Sequence, residues 1–222
     1  VTTIGANVFS YCCSLTSIII PNGVTRIGEY AFCGCENLIN IELPETISYL
    51  GCSLFESTGY KNDKANWENG CLYIGKYLID VEKNVESVIV HPDTTCIANE
   101  AFKGCNKLKS VTIGGSHDDV LIGATNIEML ILTDLKNNDG LYRYFGYNIF
   151  PVTLPITLKK IVLKKGCDIT RSDMFYGITG VTIYVEDKKI ATQWDHDYPG
   201  WNNGNKVYYG GEWINAEFKN AD

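Results

Sequence analysis

Histidine is scarce in this 222-residue chain, with His91, His117 and His196 making up the full set. A Ser-His-Asp or Cys-His nucleophilic site needs a positioned imidazole and an orienting partner. His91 falls in a turn slot after an apolar run, His117 precedes Asp118-Asp119, and His196 sits between Asp195 and Asp197. These read as turn and solvated loop residues, and the sequence points away from an enzyme. Asp195-His196-Asp197 offers oxygen ligands for a cation, but three consecutive loop residues rarely fill a coordination shell. Positive charge is also in deficit: 19 Lys and Arg face 26 Asp and Glu, a net charge of −7. That balance argues against a nucleic-acid partner, since phosphate binding needs clustered Lys and Arg. No apolar run approaches the roughly 18 residues of a membrane span; the longest are stretches such as Ile18-Ile19-Ile20. Gly114-Gly115 and Gly210-Gly211 lack the strand–loop–helix setting of a phosphate loop and read as turns. No N-x-S/T site occurs, no metal set stands out and no cofactor is expected. Neither an initiator Met nor a signal peptide precedes Val1, so a processed or truncated chain is expected.

What the chain does have is self-similarity. IGANVFSYCCSLTSIIIPNGVTR from Ile4 aligns with IGEYAFCGCENLINIELPETISY from Ile27, a period of 23 residues. A third copy runs from Leu50-Gly51 to Phe55 and breaks off; a fourth resumes at Ile97. Val1-Thr2-Thr3-Ile4-Gly5 matches Val24-Thr25-Arg26-Ile27-Gly28, so further copies are expected toward the N-terminus. A shorter template, L-x-x-I-x-I, fits Leu15/Ile18/Ile20, Leu38/Ile41/Leu43, Val85/Val88/Val90 and Leu108/Val111/Ile113. Weaker fits are Ile127/Leu130/Leu132, Leu158/Ile161/Leu163 and Ile178/Val181/Ile183. The last two apolar positions alternate with period two, which predicts a short strand. One copy cannot bury its apolar side alone, but stacked copies form a continuous core. Each inward aliphatic contributes roughly 1.5–3 kcal/mol when fully buried.

The spacing I-G-x-x-A-F-x-x-C-x-x-L-x-x-I-x-I-P resembles the BspA-like (Treponema-type) leucine-rich repeat. It is carried by Ile27, Gly28, Ala31, Phe32, Cys35, Leu38, Ile41, Leu43, Pro44 and Ile47, and again from Ile97 to Ile113. It covers residues 1–55 and 85–116 well and 120–185 loosely. The resulting expectation is a right-handed leucine-rich-repeat solenoid, β-rich, with a parallel sheet, short turns and few helices. Repeats are expected over 1–185, with a hairpin insertion at 56–84 and an irregular segment at 134–151. The insertion carries Leu72-Tyr73-Ile74, a Gly75-Lys76 turn and a returning Tyr77-Leu78-Ile79. Residues 186–222, with Trp194, Trp201 and Trp213, read as a C-terminal cap whose last strand is Lys206-Val207-Tyr208-Tyr209.

Nine cysteines leave at least one thiol unpaired in a monomer. Cys12, Cys35 and Cys105 share the slot F-x-x-C-x-x-L, which fits a small packed side chain. A Cys33-x-Cys35 metal pair, or a disulfide from Cys12 or Cys13 to Cys33 or Cys35, stays open as an alternative.

The outward strand positions are Ile19, Glu42, Ile89, Thr112, Ile131, Val162 and Thr182. Bare aliphatics there fit strand propensity, and they also fit a docking face. Trp67, Tyr142, Tyr144 and Tyr147 in the insertions would extend such a face. The resemblance implies a cell-surface or secreted protein that binds a protein ligand, with host extracellular matrix or another cell surface as partner. A carbohydrate-binding module, and a spacer for a separate effector domain, are the other readings.

Overall fold

In the computed structural model, the described residues are 1–114, 121, 124–134, 157–167, 179–187 and 204–209. The chain divides into two compact units, Val1–Val85 with Asp93–Lys103, and Glu86–Pro92 with Gly104–Asp222.

In the first unit the first two copies each contribute two short strands, and the third contributes one. Ser17–Ile19 pairs in parallel with Asn40–Glu42, placing Ile18 opposite Ile41. A second parallel ladder joins Thr3–Ile4, Arg26–Ile27 and Tyr49–Leu50, placing Ile4, Ile27 and Leu50 in one file. The sequence pattern shows only the first ladder, because two-residue strands are too short to display period two.

A third ladder runs through the turns. The amides of Asn7, Phe9 and Tyr11 donate to the carbonyls of Glu29, Ala31 and Cys33 at 3.0, 2.9 and 2.8 Å. One rung on, the amides of Tyr30, Phe32 and Gly34 donate to Cys52, Leu54 and Glu56 at 3.0, 3.0 and 2.8 Å. Left-handed residues aim these alternate amides the same way. Asn7, Tyr30, Ser53 and Glu100 share one such slot, with φ of 59, 55, 51 and 61°. Tyr11, Gly34, Ser57 and Gly104 share the next, with φ of 59, 76, 57 and 77°. A non-glycine residue there costs roughly 1–2 kcal/mol, which the inter-rung hydrogen bonds offset.

Inside the ladders, Ile27, Phe32, Leu38, Leu50 and Phe55 are fully buried. Phe9, Phe32 and Phe55 stack with centroids 5.2 and 5.4 Å apart and planes within 9°. The rungs close up because Gly28 and Gly51 have no side chain: a Cβ would meet Ala6 N at 2.6 Å and Glu29 N at 2.5 Å respectively.

The insertion begins where Thr58 replaces the slot cysteine. Its hydroxyl donates to the Phe55 carbonyl at 2.8 Å and accepts from the Lys61 amide, capping the helix Gly59–Asn62. A 3-10 turn at Lys64–Asn66 follows, and these two short segments are the helical content among the described residues. Cys71–Ile74 and Tyr77–Val81 then form the expected antiparallel hairpin, with Gly75 at φ 58° in its turn. Leu72, Ile74, Tyr77 and Ile79 join the rung core, so the hairpin seals apolar surface that the third rung would otherwise expose. The Tyr77 hydroxyl donates to the Pro44 carbonyl at 2.6 Å.

Among the described residues the second unit carries six parallel strands, Ser87–Ile89, Ser110–Ile113, Met129–Leu132, Lys160–Leu163, Thr182–Val185 and Lys206–Tyr209. Val88, Val111, Leu130, Ile161, Ile183 and Val207 stand in one file. The last of these strands is the one expected at Lys206–Tyr209. The rung before it corrects the sequence frame. Thr182 pairs with Lys160, and Tyr184 takes the outward slot beside Val162. Val181, Ile183 and Val185 are all buried, so alternation alone cannot separate two frames two residues apart.

His117, Tyr142, Tyr144, Tyr147, Trp194, Asp195, His196, Asp197, Trp201 and Trp213 lie outside the described residues.

Candidate functional site

The outward strand column is not uniform. In the first unit Ile19 is 70% exposed and pairs with the exposed Glu42. In the second unit Ile89 is 71% exposed, Thr112 and Ile131 are half-buried, and Val162 is 0% exposed. Val162 therefore departs from the expectation of an open docking position. It packs with Tyr184, Ile131 and Tyr208 in a separate apolar cluster. Tyr184 and Tyr208 stack at 5.4 Å. Pleat parity puts Val162 on the outer face, but parity does not report what covers that face.

The cysteine slot does structural work. Cys35 and Cys105 are buried, and the Cys35 thiol donates to the Phe9 carbonyl at 3.0 Å. Cys167 makes the same kind of bond to the Leu132 carbonyl at 3.2 Å. Cys12, on the first rung, is exposed. Burial raises the pKa of Cys35 and Cys52, and pushes that of Cys96 to about 11. Thiols held neutral in this way are poor nucleophiles and poor metal ligands. Among the described residues no three His, Cys, Asp or Glu side chains gather to hold a metal ion.

Sequence reasoning missed a cleft of about 550 Å³ in the first unit. Its walls come from the third-rung turn at Ser53–Glu56, the insertion residues Lys61, Lys64 and Trp67, the hairpin's exit at Ile79–Asn84, and the turn around Ala101. Its charges are mutually paired. Lys61 sits between Glu56 and Asp80, 2.5 Å from each, with 18% of its side chain exposed. Burial lowers the Lys61 pKa, but the hydrogen bonds and charges of Asp80 and Glu56 together outweigh it and hold the ammonium above its usual range. Asp80 also takes Lys83 at 2.8 Å, and Glu100 takes Lys103 at 2.8 Å. Lys64 reaches Glu82 at 2.6 Å and lies 4.6 Å from the Trp67 ring centroid. The Trp67 indole N–H donates to the Lys61 carbonyl at 2.8 Å. Among the described residues neither histidine nor cysteine lines the cleft.

The family model for the BspA-type leucine-rich repeat region matches residues 2–123 with six copies, more than half of the chain. The chain belongs to the BspA-type leucine-rich repeat family. Solved structures similar to this BspA-type chain include a leucine-rich repeat protein from Bacteroides ovatus, at 18% identity and TM-score 0.31 over 94% of this chain and 57% of that one. The chain thus spans little more than half the length of that protein. A Treponema pallidum leucine-rich repeat protein matches at 17% identity and TM-score 0.31, over 95% of this chain and 80% of that one. A leucine-rich cell surface protein from Faecalibacterium prausnitzii matches at 16% identity and TM-score 0.37, over 96% and 72%. Among curated proteins none matches the chain. No helix among the described residues of this BspA-type protein is long and apolar enough to cross a membrane.

Proposed function

We propose that the chain is a cell-surface or secreted scaffold that binds other proteins through the outer faces of its strand ladders, without catalysing a reaction. The observation that carries this reading is the contrast between neighbours on one strand. Ile19 is 70% exposed while Ile20 is 4%, and Ile89 is 71% exposed while Val90 is 3%. An aliphatic side chain left in water on a strand adds strand propensity of at most about 1 kcal/mol, whereas burial against a partner gains roughly 1.5–3 kcal/mol per side chain. Family membership supports the scaffold role. The carbohydrate reading has less support: Trp67 has Lys64 over its ring and its N–H already engaged.

The test is surface binding of the purified chain to immobilised fibronectin, laminin and collagen, beside Ile19→Asp and Ile89→Asp. Saturable binding that weakens in either variant, with unchanged circular dichroism, supports the proposal. Binding to a glycan array with none to the proteins, or full binding by the double variant, overturns it.

A further inference from the structure

The turn ladder stops inside the cleft. In two successive rungs, alternate turn amides donate to the next rung's carbonyls, at Asn7, Phe9 and Tyr11 and then at Tyr30, Phe32 and Gly34. The same slots on the third rung are Ser53, Phe55 and Ser57, which keep the left-handed φ at 51 and 57° on Ser53 and Ser57. Their amides meet no acceptor among the described residues. Ser53 and Phe55 line the cleft, and so do Asn99 and Ala101, whose carbonyls the repeat pattern would assign to those amides. Instead Lys83 stands between, donating its ammonium to the Ala101 carbonyl at 3.3 Å. The sequence marks the break as well. Ala98 occupies the slot that is glycine at Gly5, Gly28 and Gly51, where a Cβ would collide with the preceding peptide at Gly28 and Gly51.

The geometry points to this cleft as a docking site for a backbone segment of another polypeptide, which supplies the carbonyl row missing from the ladder. The occupant's chemistry is fixed by precedent within the chain, because the identical donor row is met twice by main-chain carbonyls at alternate residues. An anion fits less well. Alternating left-handed turns can cradle anions, but here Glu56, Asp80, Glu82 and Glu100 share the walls and already neutralise the lysines. The docked segment adds main-chain hydrogen bonds as in strand addition, and its side chains meet Trp67 and the paired charges. This site is independent of the outer strand faces, and either can fail without the other.

The test titrates the 15N-labelled chain with a capped peptide copying Gly28–Gly34, the segment whose Glu29, Ala31 and Cys33 carbonyls already accept from such a row. Amide shifts at Ser53, Phe55 and Ser57, saturating below about 1 mM and with Phe32 unmoved, are expected. The same shifts are expected in Ile19→Asp. An ester-backbone version of the peptide, whose carbonyls are weaker acceptors, should bind on the order of tenfold more weakly. Three results overturn the proposal: no shift at these amides up to several millimolar peptide, equal shifts with inorganic phosphate alone, or loss of the shifts in Ile19→Asp.

Discussion

Cys35 donates its thiol to the carbonyl of Phe9 at 3.0 Å, linking the turn of one rung to the turn before it. The bond explains why a recurring slot holds cysteine. A small apolar side chain fills the turn, and its weak donor takes the second acceptor position of the Phe9 carbonyl, which also accepts from the Cys12 amide at 3.2 Å.

That burial governs reactivity. Iodoacetamide at pH 8 should modify the exposed Cys12 and Cys13 first, while Cys35, Cys52, Cys71, Cys96, Cys105 and Cys167 react only on unfolding. Peptide mass spectrometry reads the order. The same burial makes stability depend on pH. Cys96 has a folded pKa of about 11 against an ordinary 9.0. Its neutral form is the one the fold accepts, so its contribution is complete below pH 9 and lost as pH rises toward 11. The loss should be on the order of 3 kcal/mol. Urea midpoints at pH 8 and pH 11 measure it, and Cys96→Ala should flatten the dependence.

Phe32 sits fully buried between two stacked rings, at 5.2 Å from Phe9 and 5.4 Å from Phe55. Phe32→Ala should destabilise the first unit by about 3–5 kcal/mol. Phe9→Ala should cost less, since Phe9 is only half-buried. Denaturant unfolding of each variant gives the comparison.

Gly51→Ala tests how tightly the rungs close. The added Cβ would lie 2.5 Å from the backbone N of Glu29, which cannot move without shifting the rung. At Gly5 the nearest atom is Val8 Cγ2 at 3.3 Å, the tip of an exposed side chain. Gly51→Ala should therefore lose about 1–3 kcal/mol while Gly5→Ala stays near neutral, both read as shifts in melting temperature.

The stacked strands were legible because the 23-residue period repeats Phe9 at Phe32 and Ile4 at Ile27. Their burial needs only like residues at like positions. The turn ladder was not legible, since Asn7, Tyr30, Ser53 and Glu100 share a backbone conformation and no side-chain chemistry. Burial of Val162 was hidden for another reason. Which atoms cover an outer face is decided by tertiary packing with Tyr184 and Tyr208, and Tyr184 holds the slot beside Val162 that the sequence frame gives to Thr182. The cleft is an interruption, and interruptions leave little pattern. Its traces in the sequence are Ala98 in the glycine slot and Thr58 in the cysteine slot, each a single substitution that carries meaning only beside the ladder it breaks.

Stacking of the copies, rung on rung, is tested most directly by amide hydrogen exchange at Phe9, Tyr11, Phe32 and Gly34. These residues lie in turns, outside every strand, and their amides are held only by carbonyls of the next copy, at 2.8–3.0 Å. The expected result is strong protection, within an order of magnitude of the strand amide of Ile27. Exchange at the rate of open turns, with Ile27 still protected, would contradict the stacking.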